Sequence, residues 1–187
     1  MKKIPTLLDL YEAIKPYTIY CDMDGVLCDF DQGYEKLTGE STDEANAKGK
    51  SYFWKLFRES VGKNEKDFWA NLSWQSGGQE LWNYIKSSNP NILSAPSIDF
   101  SLPQDQQLNP EFNQAIQGKK EWIAKNISGV NKEIFVPASQ KSSFATSKHI
   151  LIDDMQKNID AWRAAGGKAI LHTSTSNTIE QLQKLGL

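Results

Sequence analysis

Thr18-Ile19-Tyr20-Cys21-Asp22-Met23-Asp24-Gly25-Val26-Leu27 is the stretch on which the fold turns. It opens as a short, continuous apolar run and breaks into two aspartates one residue apart. A run without polar alternation suits a strand covered on both faces. Four similar runs follow: Asn91-Ile92-Leu93-Ser94, Glu133-Ile134-Phe135-Val136, His149-Ile150-Leu151-Ile152 and Lys168-Ala169-Ile170-Leu171. Helical patterns separate them. Residues 79–87 carry Leu81, Trp82 and Ile85. Residues 110–127 carry Phe112, Ile116, Trp122 and Ile123, with Pro110 suited to a first helical turn. Residues 155–165 carry Ile159 and Trp162 and stop at Gly166-Gly167. Residues 178–185 close the chain, and 1–14 read as an amphipathic helix on Leu7, Leu8, Tyr11 and Ile14, stopped by Pro16. Strands alternating with helices predict βαβ units and an α/β fold, with a five-stranded parallel sheet between helical layers.

Two segments exceed a minimal α/β unit. Residues 31–78 hold helix-like pieces at 52–61 and 65–72 and most of the aromatic side chains, and read as a small helical insertion. The core then comprises 1–30 and 79–187. Residues 95–109 are polar, with Pro96 and Pro103, and loops of that length usually serve function.

Ligands of open parallel sheets sit at the carboxyl ends of the strands. Those ends carry Asp22 and Asp24, then Ser94, then Asp153 and Asp154. Four carboxylates so close repel, and a cation is needed to keep them ionised. An all-oxygen donor set points to Mg²⁺, which is commonly shared with a substrate phosphate.

Asp22-Met23-Asp24-Gly25-Val26-Leu27 resembles the DxDGx[VL] signature that opens the haloacid dehalogenase (HAD) superfamily of phosphohydrolases. Leu93-Ser94 resembles its second motif, Lys141 its third and Ile152-Asp153-Asp154 its fourth. The likeness runs over about residues 18–172. Within the superfamily the chain resembles the 5′(3′)-deoxyribonucleotidases, through Asp22 to Phe30, Phe68-Trp69-x-x-Leu72 ahead of Gly77-Gly78, Ser94-Ala95-Pro96, and Leu151 to Asp154. Ala95 departs from the Thr-Ser-Pro common in that family. The resemblance implies a three-layer Rossmannoid core with a small helical cap inserted after the first strand, at 31–78.

It also implies phosphoryl transfer through an aspartyl-phosphate. Asp22 would be the nucleophile and Asp24 the general acid and base. Gly25 would permit the tight reversal that turns Asp24 back towards Asp22. Mg²⁺ would be held by Asp22, by Asp153 and by a backbone carbonyl. The sequence alone does not choose between the carbonyls of Met23 and Asp24, and the family places it at Asp24. Asp154 would act through water. Ser94 and Lys141 would hold phosphoryl oxygens, with Lys141 offsetting the Asp22 charge. Lys141 stands 12 positions before Asp153. Asn158 is expected to steady the Asp154 loop or to lie on the helix surface. His149, His172 and Cys21 are expected to be structural, and Cys28 to pack in the adjoining turn.

The chain has 187 residues, 21 Lys+Arg against 23 Asp+Glu, and a formal charge of −2. That balance lacks the basic excess of a duplex nucleic-acid binder. No apolar run approaches the roughly 18 residues of a membrane span. No G-x-x-x-x-G-K-[ST] loop of a kinase occurs. Residues 1–10, interrupted by Thr6 and Asp9, do not read as a signal peptide. Two cysteines are too few for a disulfide scaffold, so a cytoplasmic location is expected. Four of the six tryptophans, Trp54, Trp69, Trp74 and Trp82, fall within 29 residues. Much of that crowding serves a small helical core. One or two rings of the insertion could stack on a nucleobase, with Phe68 and Trp69 first, then Trp54 and Trp74. The insertion carries seven Lys/Arg and eight Asp/Glu, a balance suited to a single mononucleotide. The expected substrate is therefore a small phosphate ester, a nucleoside monophosphate first. A phosphosugar or a nucleic-acid 3′-phosphate end is the alternative, and a non-catalytic HAD-like binding module is the alternative of another class.

Overall fold

A computed structural model of the chain describes residues 17–98 and 103–187. The expected helix over 1–14 lies outside the described residues. Five strands form one parallel sheet: β1 (Thr18–Cys21), β2 (Asn91–Ser94), β3 (Glu133–Phe135), β4 (His149–Asp153) and β5 (Lys168–Leu171), in the order β3-β2-β1-β4-β5. The order reverses beside β1. Chain growth moves outward from β1 through β2 to β3, then returns to β4 on its other flank. That reversal opens a crevice between the carboxyl ends of β1 and β4. Register aligns Cys21 with Ile152 and with Ile92, so Asp22 and Asp153 leave the sheet side by side.

The apolar runs are strands because both faces of the sheet are covered. Ile19, Cys21, Ile92, Ile150, Ile152 and Ile170 face one apolar cluster. It is completed by α5 (Gly78–Ile85), α6 (Gln114–Asn126) and α8 (Thr175–Lys184). Tyr20, Leu93, Leu151 and Ala169 face the other cluster, with Ile159 and Trp162 from α7 (Gln156–Ala164). Alternate residues point to opposite layers, as the pleat requires. The result is the three-layer α/β/α arrangement expected from the sequence.

Four helices fill the chain between β1 and α5: α1 (Phe30–Thr38), α2 (Thr42–Ala47), α3 (Lys50–Val61) and α4 (Glu65–Ala70). The first two were not expected. A capping box between Ser41 and Glu44 stabilises α2, which has only six residues. Aromatic rings hold the four together. Tyr34 stacks on Phe53 at 4.4 Å, and Phe30 stacks on Trp69 at 5.2 Å. This aromatic group is continuous with the sheet cluster through Leu72, Trp122 and Val26.

The tryptophans divide accordingly. Trp69, Trp82, Trp122 and Trp162 are buried. Three of their indole N–H groups donate at ordinary length, to Glu65 Oε1, the Ser128 carbonyl and the Leu72 carbonyl. Trp54 and Trp74 stay half-buried. Pro110 lies outside α6, which begins four residues later than the expected start at 110. Asn113 caps that helix by accepting from Ile116 N–H. None of the helices among the described residues is long and apolar enough to cross a membrane.

Candidate active site

The loop after β1 is built on one carbonyl. Met23 O accepts the N–H groups of Val26, Leu27 and Cys28 at 3.2, 2.7 and 2.8 Å. That commits it to the turn, and the Asp24 carbonyl takes no part in those bonds. Gly25 adopts φ +70°, and a Cβ there would lie 2.3 Å from Asp154 Oδ2. Only glycine serves both the turn and the close approach of Asp154.

Asp22 extends the β1 ladder by donating its N–H to Ile152 O, and its Oδ1 accepts from Met23 N at 2.8 Å. Its Oδ2 meets the Lys141 ammonium at 2.6 Å. Lys141 comes from a 3₁₀ segment, Ala138–Phe144, that follows β3. The same ammonium donates to Asp153 Oδ2 at 2.7 Å. All three groups are buried. Burial alone would lower the Lys141 pKa, but the flanking carboxylates of Asp22 and Asp153 outweigh it and hold it above the ordinary lysine range.

Asp153 is fixed further by Met155 N–H and by the Asn158 amide, which donates to both carboxylate oxygens at 2.9 and 3.1 Å. Asn158 thus steadies Asp153, not the Asp154 loop. Ligand oxygens of Asp22, Asp153 and Asp154 lie within 4.8 Å of one another. Burial, then the Asp22 charge, pushes the Asp153 carboxyl up. Burial, then Asp22 and Asp153, pushes Asp154 up to about 7. Carboxyls raised by burial and then by one another's charge call for a cation, and an all-oxygen set fits Mg²⁺. The oxygen cluster therefore places Asp154 beside Asp22 and Asp153, within the span that one bridging water covers.

The Asp24 side chain points elsewhere. Its Oδ2 meets the Lys119 ammonium at 2.5 Å, and Lys119 also donates to Ser94 Oγ at 3.0 Å. Burial raises the Asp24 pKa against the opposing pull of Lys119. Lys119, on α6, is fully buried and was absent from the sequence-derived set. Two lysine-centred groups therefore share the crevice. Lys141 joins Asp22 and Asp153, and Lys119 joins Asp24 and Ser94.

The aromatic candidates separate. Trp69 is 2% exposed, stacked on Phe30, with the Lys119 ammonium 4.3 Å from its ring centroid and its N–H held by Glu65. It belongs to the core and offers no open face to a base. Phe68 borders a separate groove of about 290 Å³ between α1 and α4. Trp74 packs edge-on against Trp122 at 4.8 Å. Trp54 lines a cavity of about 130 Å³ with Arg58, Glu65 and Ser97. Ser97, three residues after Ser94, donates to Glu65 Oε1 and so connects this cavity to the end of β2.

The remaining polar residues are structural. His149 Nδ1 is 2.6 Å from Phe144 O, and His172 Nδ1 is 2.9 Å from Thr178 Oγ1, with burial lowering the His172 pKa. Cys21 and Cys28 are free and buried, and burial pushes both thiols well up, away from reactivity.

No family model matches the chain, and no curated protein matches it. Solved structures do align with it. A HAD-superfamily hydrolase from Ehrlichia chaffeensis is 13% identical with a TM-score of 0.49, over 92% of this chain and 98% of that one. A hydrolase from Streptococcus pneumoniae TIGR4 is 18% identical with a TM-score of 0.47, over 92% and 100%. A HAD family enzyme from Bacteroides thetaiotaomicron, in complex with magnesium and inorganic phosphate, is 13% identical with a TM-score of 0.43, over 83% and 93%. The Ehrlichia and Bacteroides proteins are HAD enzymes, and at such identity the likeness to this chain is one of fold.

Proposed function

We propose that this protein is a Mg²⁺-dependent phosphomonoesterase that works through an aspartyl-phosphate on Asp22, with a nucleoside monophosphate as substrate. The observation that carries the reading is the buried Lys141 ammonium clamped between Asp22 and Asp153, with Asp154 completing the oxygen cluster. A structural ion pair has no need of three converging carboxylates at the mouth of a sheet crevice.

In this reading an Asp22 oxygen attacks phosphorus while the bond to the leaving oxygen breaks. Asp24 gives that oxygen its proton. Asp24 then takes a proton from water, whose oxygen displaces Asp22 and releases inorganic phosphate. Burial that raises the Asp24 pKa favours the protonated form the first step needs. Lys141 holds Asp22 in place and offsets its charge, and Ser94 offers its hydroxyl to the phosphoryl oxygens. Asp22, Asp153 and the Asp24 carbonyl would hold Mg²⁺, with Asp154 adjoining. When bound there, the cation supplies the charge that lets a phosphate dianion approach the carboxylates. Residues 31–78 would act as the cap that selects the leaving group, and 1–30 with 79–187 as the catalytic unit.

The cavity beside Trp54 favours a second reading. Its roughly 130 Å³, counted among the described residues, is well below the ~300 Å³ at which pockets for drug-sized ligands begin. Arg58, Glu65 and Ser97 give it a polar lining suited to a phosphosugar. A phosphate-release panel over nucleoside monophosphates, phosphosugars and an aryl phosphate, with and without Mg²⁺, separates the two. Nucleotide preference is expected, with Asp22→Asn at background on every substrate. Sugar preference transfers the assignment to the second reading. Metal-dependent turnover retained by Asp22→Asn overturns the mechanism.

A further inference from the structure

Lys119 belongs to none of the motif residues, yet it is as buried as Lys141 and touches the site at two points. We propose that Lys119 is a positioning residue for proton transfer, holding the Asp24 carboxyl by Oδ2 and tying it to Ser94, so that Oδ1 faces the leaving group. The proposal rests on the phosphomonoesterase reading and assigns a role that reading left open.

Three observations carry it. First, the contacts of Asp24 are one-sided. Oδ2 is bound by the ammonium, whereas Oδ1 is buried with no hydrogen-bond partner among the described residues. A buried carboxylate oxygen without a partner is costly and rare. An acid that must deliver a proton to an incoming ester oxygen needs such a free oxygen.

Second, the local chain is shaped to bring the lysine in. Gly118 precedes it inside α6, where a Cβ would lie 2.3 Å from the Lys66 carbonyl oxygen and 2.7 Å from Trp69 Cβ. Without a side chain at 118, α6 and α4 approach closely enough for Lys119 to pass across the Trp69 ring, at 4.3 Å, and reach Asp24. Trp69 is fixed in turn by Phe30 and Glu65. The ammonium thus has a carboxylate, a hydroxyl and an aromatic face around it, and little freedom to leave.

Third, the two lysines divide the crevice between them. The Lys141 ammonium is engaged by Asp22 and Asp153. Lys119 serves the other half of the crevice, where the leaving oxygen departs and Ser94 meets the phosphoryl group.

A group that positions the acid matters in proportion to how much the leaving group needs a proton. The test compares an alkyl phosphate, which leaves as a strongly basic alkoxide, with p-nitrophenyl phosphate, which leaves as a stable phenolate. In the Mg²⁺-loaded protein, Lys119→Met is expected to lower kcat on the alkyl ester by about 100-fold, the low end of general acid–base contributions. The loss on p-nitrophenyl phosphate is expected to stay below about tenfold, and Lys119→Arg to restore part of the alkyl activity. Lys119→Gln, which retains hydrogen-bonding capacity, is measured alongside in case the methionine variant does not fold, and is expected to show the same skew. Equal losses on both esters, or none on either, overturn the positioning role and leave the phosphatase reading standing. A wild-type protein that hydrolyses neither ester overturns both.

Discussion

Lys141→Met is the most informative single change for the carboxylate cluster. Methionine keeps most of the side-chain length and removes the ammonium. Lys141, Asp22 and Asp153 are 1%, 6% and 0% exposed, so solvent cannot replace the lost charge. Deleting one member of a buried ion pair costs about 3–5 kcal/mol, because the partner is left buried and uncompensated. Here two carboxylates are stranded, but each can relax by binding a proton. We take about 4 kcal/mol at pH 8 in the absence of metal. At about 2–4 °C per kcal/mol for a chain of this size, the melting temperature falls by about 8–16 °C.

The sign with pH follows from Asp153. Its carboxyl is already pushed up by burial and by Asp22, against Lys141, and losing Lys141 pushes it further. A carboxyl raised in the folded state stabilises the fold while protonated, and that stability is lost as pH rises through the folded value. The deficit of the variant therefore shrinks between pH 8 and pH 5.5. Mg²⁺ at about 100 times its Kd adds about 2.7 kcal/mol to any state that binds it, and the variant, with more uncompensated charge, gains more than the wild type. Thermal melts of both proteins at pH 5.5 and 8, in chelator and in Mg²⁺, measure all of this. A variant that melts within about 2 °C of wild type at pH 8 in chelator refutes the argument, since that is less than the ~8 °C floor. A deficit independent of pH and metal would mean that packing, not charge, was lost.

Two further outcomes follow from the same geometry. The metal-free wild type should lose melting temperature as pH rises from 5 to 8, because Asp154 sits near 7 when folded and near 4 when unfolded. Saturating Mg²⁺ should flatten that slope, and a metal-free protein with no slope would contradict the crowding of the carboxyls. Gly118→Ala gains about 0.8–1 kcal/mol of helix propensity but drives a methyl into the Lys66 carbonyl, an overpacking worth about 1–3 kcal/mol. Its melting temperature should fall, and a rise would show that α4 and α6 are free to separate.

What could be read in advance followed from burial on two faces. Runs such as Ile19-Tyr20-Cys21 and Ile150-Leu151-Ile152 admit no polar residue because both layers cover them, so each strand lies within a residue or so of its expected place. Helix starts were less legible, since caps decide them. Ser174 accepts from Asn177 N–H and begins α8 three residues before the expected start. A capping box between Ser41 and Glu44 holds α2, but its six residues carry too little periodicity to be read as a helix in advance. In the site, strand-end carboxylates were legible because topology alone gathers them. Aromatics were not, because a buried ring such as Trp69 and a half-exposed one such as Trp54 look alike until the packing of α4 against α6 is known.

Lys119 shows where the missing signal lay. The buried face of α6 is Ala115, Ile116, Gly118, Lys119, Trp122 and Ile123. Positions 115, 116, 119, 122 and 123 recur at the spacing of one helix face. A lysine in the middle of an apolar stripe is almost never tolerated unless a buried partner waits for it. The neighbouring glycine adds that another backbone comes close at the same point. Neither feature names the partner, since Asp24 lies 95 positions away. Together they state that a buried negative group must exist opposite this helix, and the sequence places two acidic pairs at the sheet end, Asp22 with Asp24 after β1 and Asp153 with Asp154 after β4. The physical requirement that a buried charge be paired therefore directs α6 to the carboxyl end of the sheet, and the close packing of α6 on α4 decides between the two pairs by bringing Lys119 to Asp24.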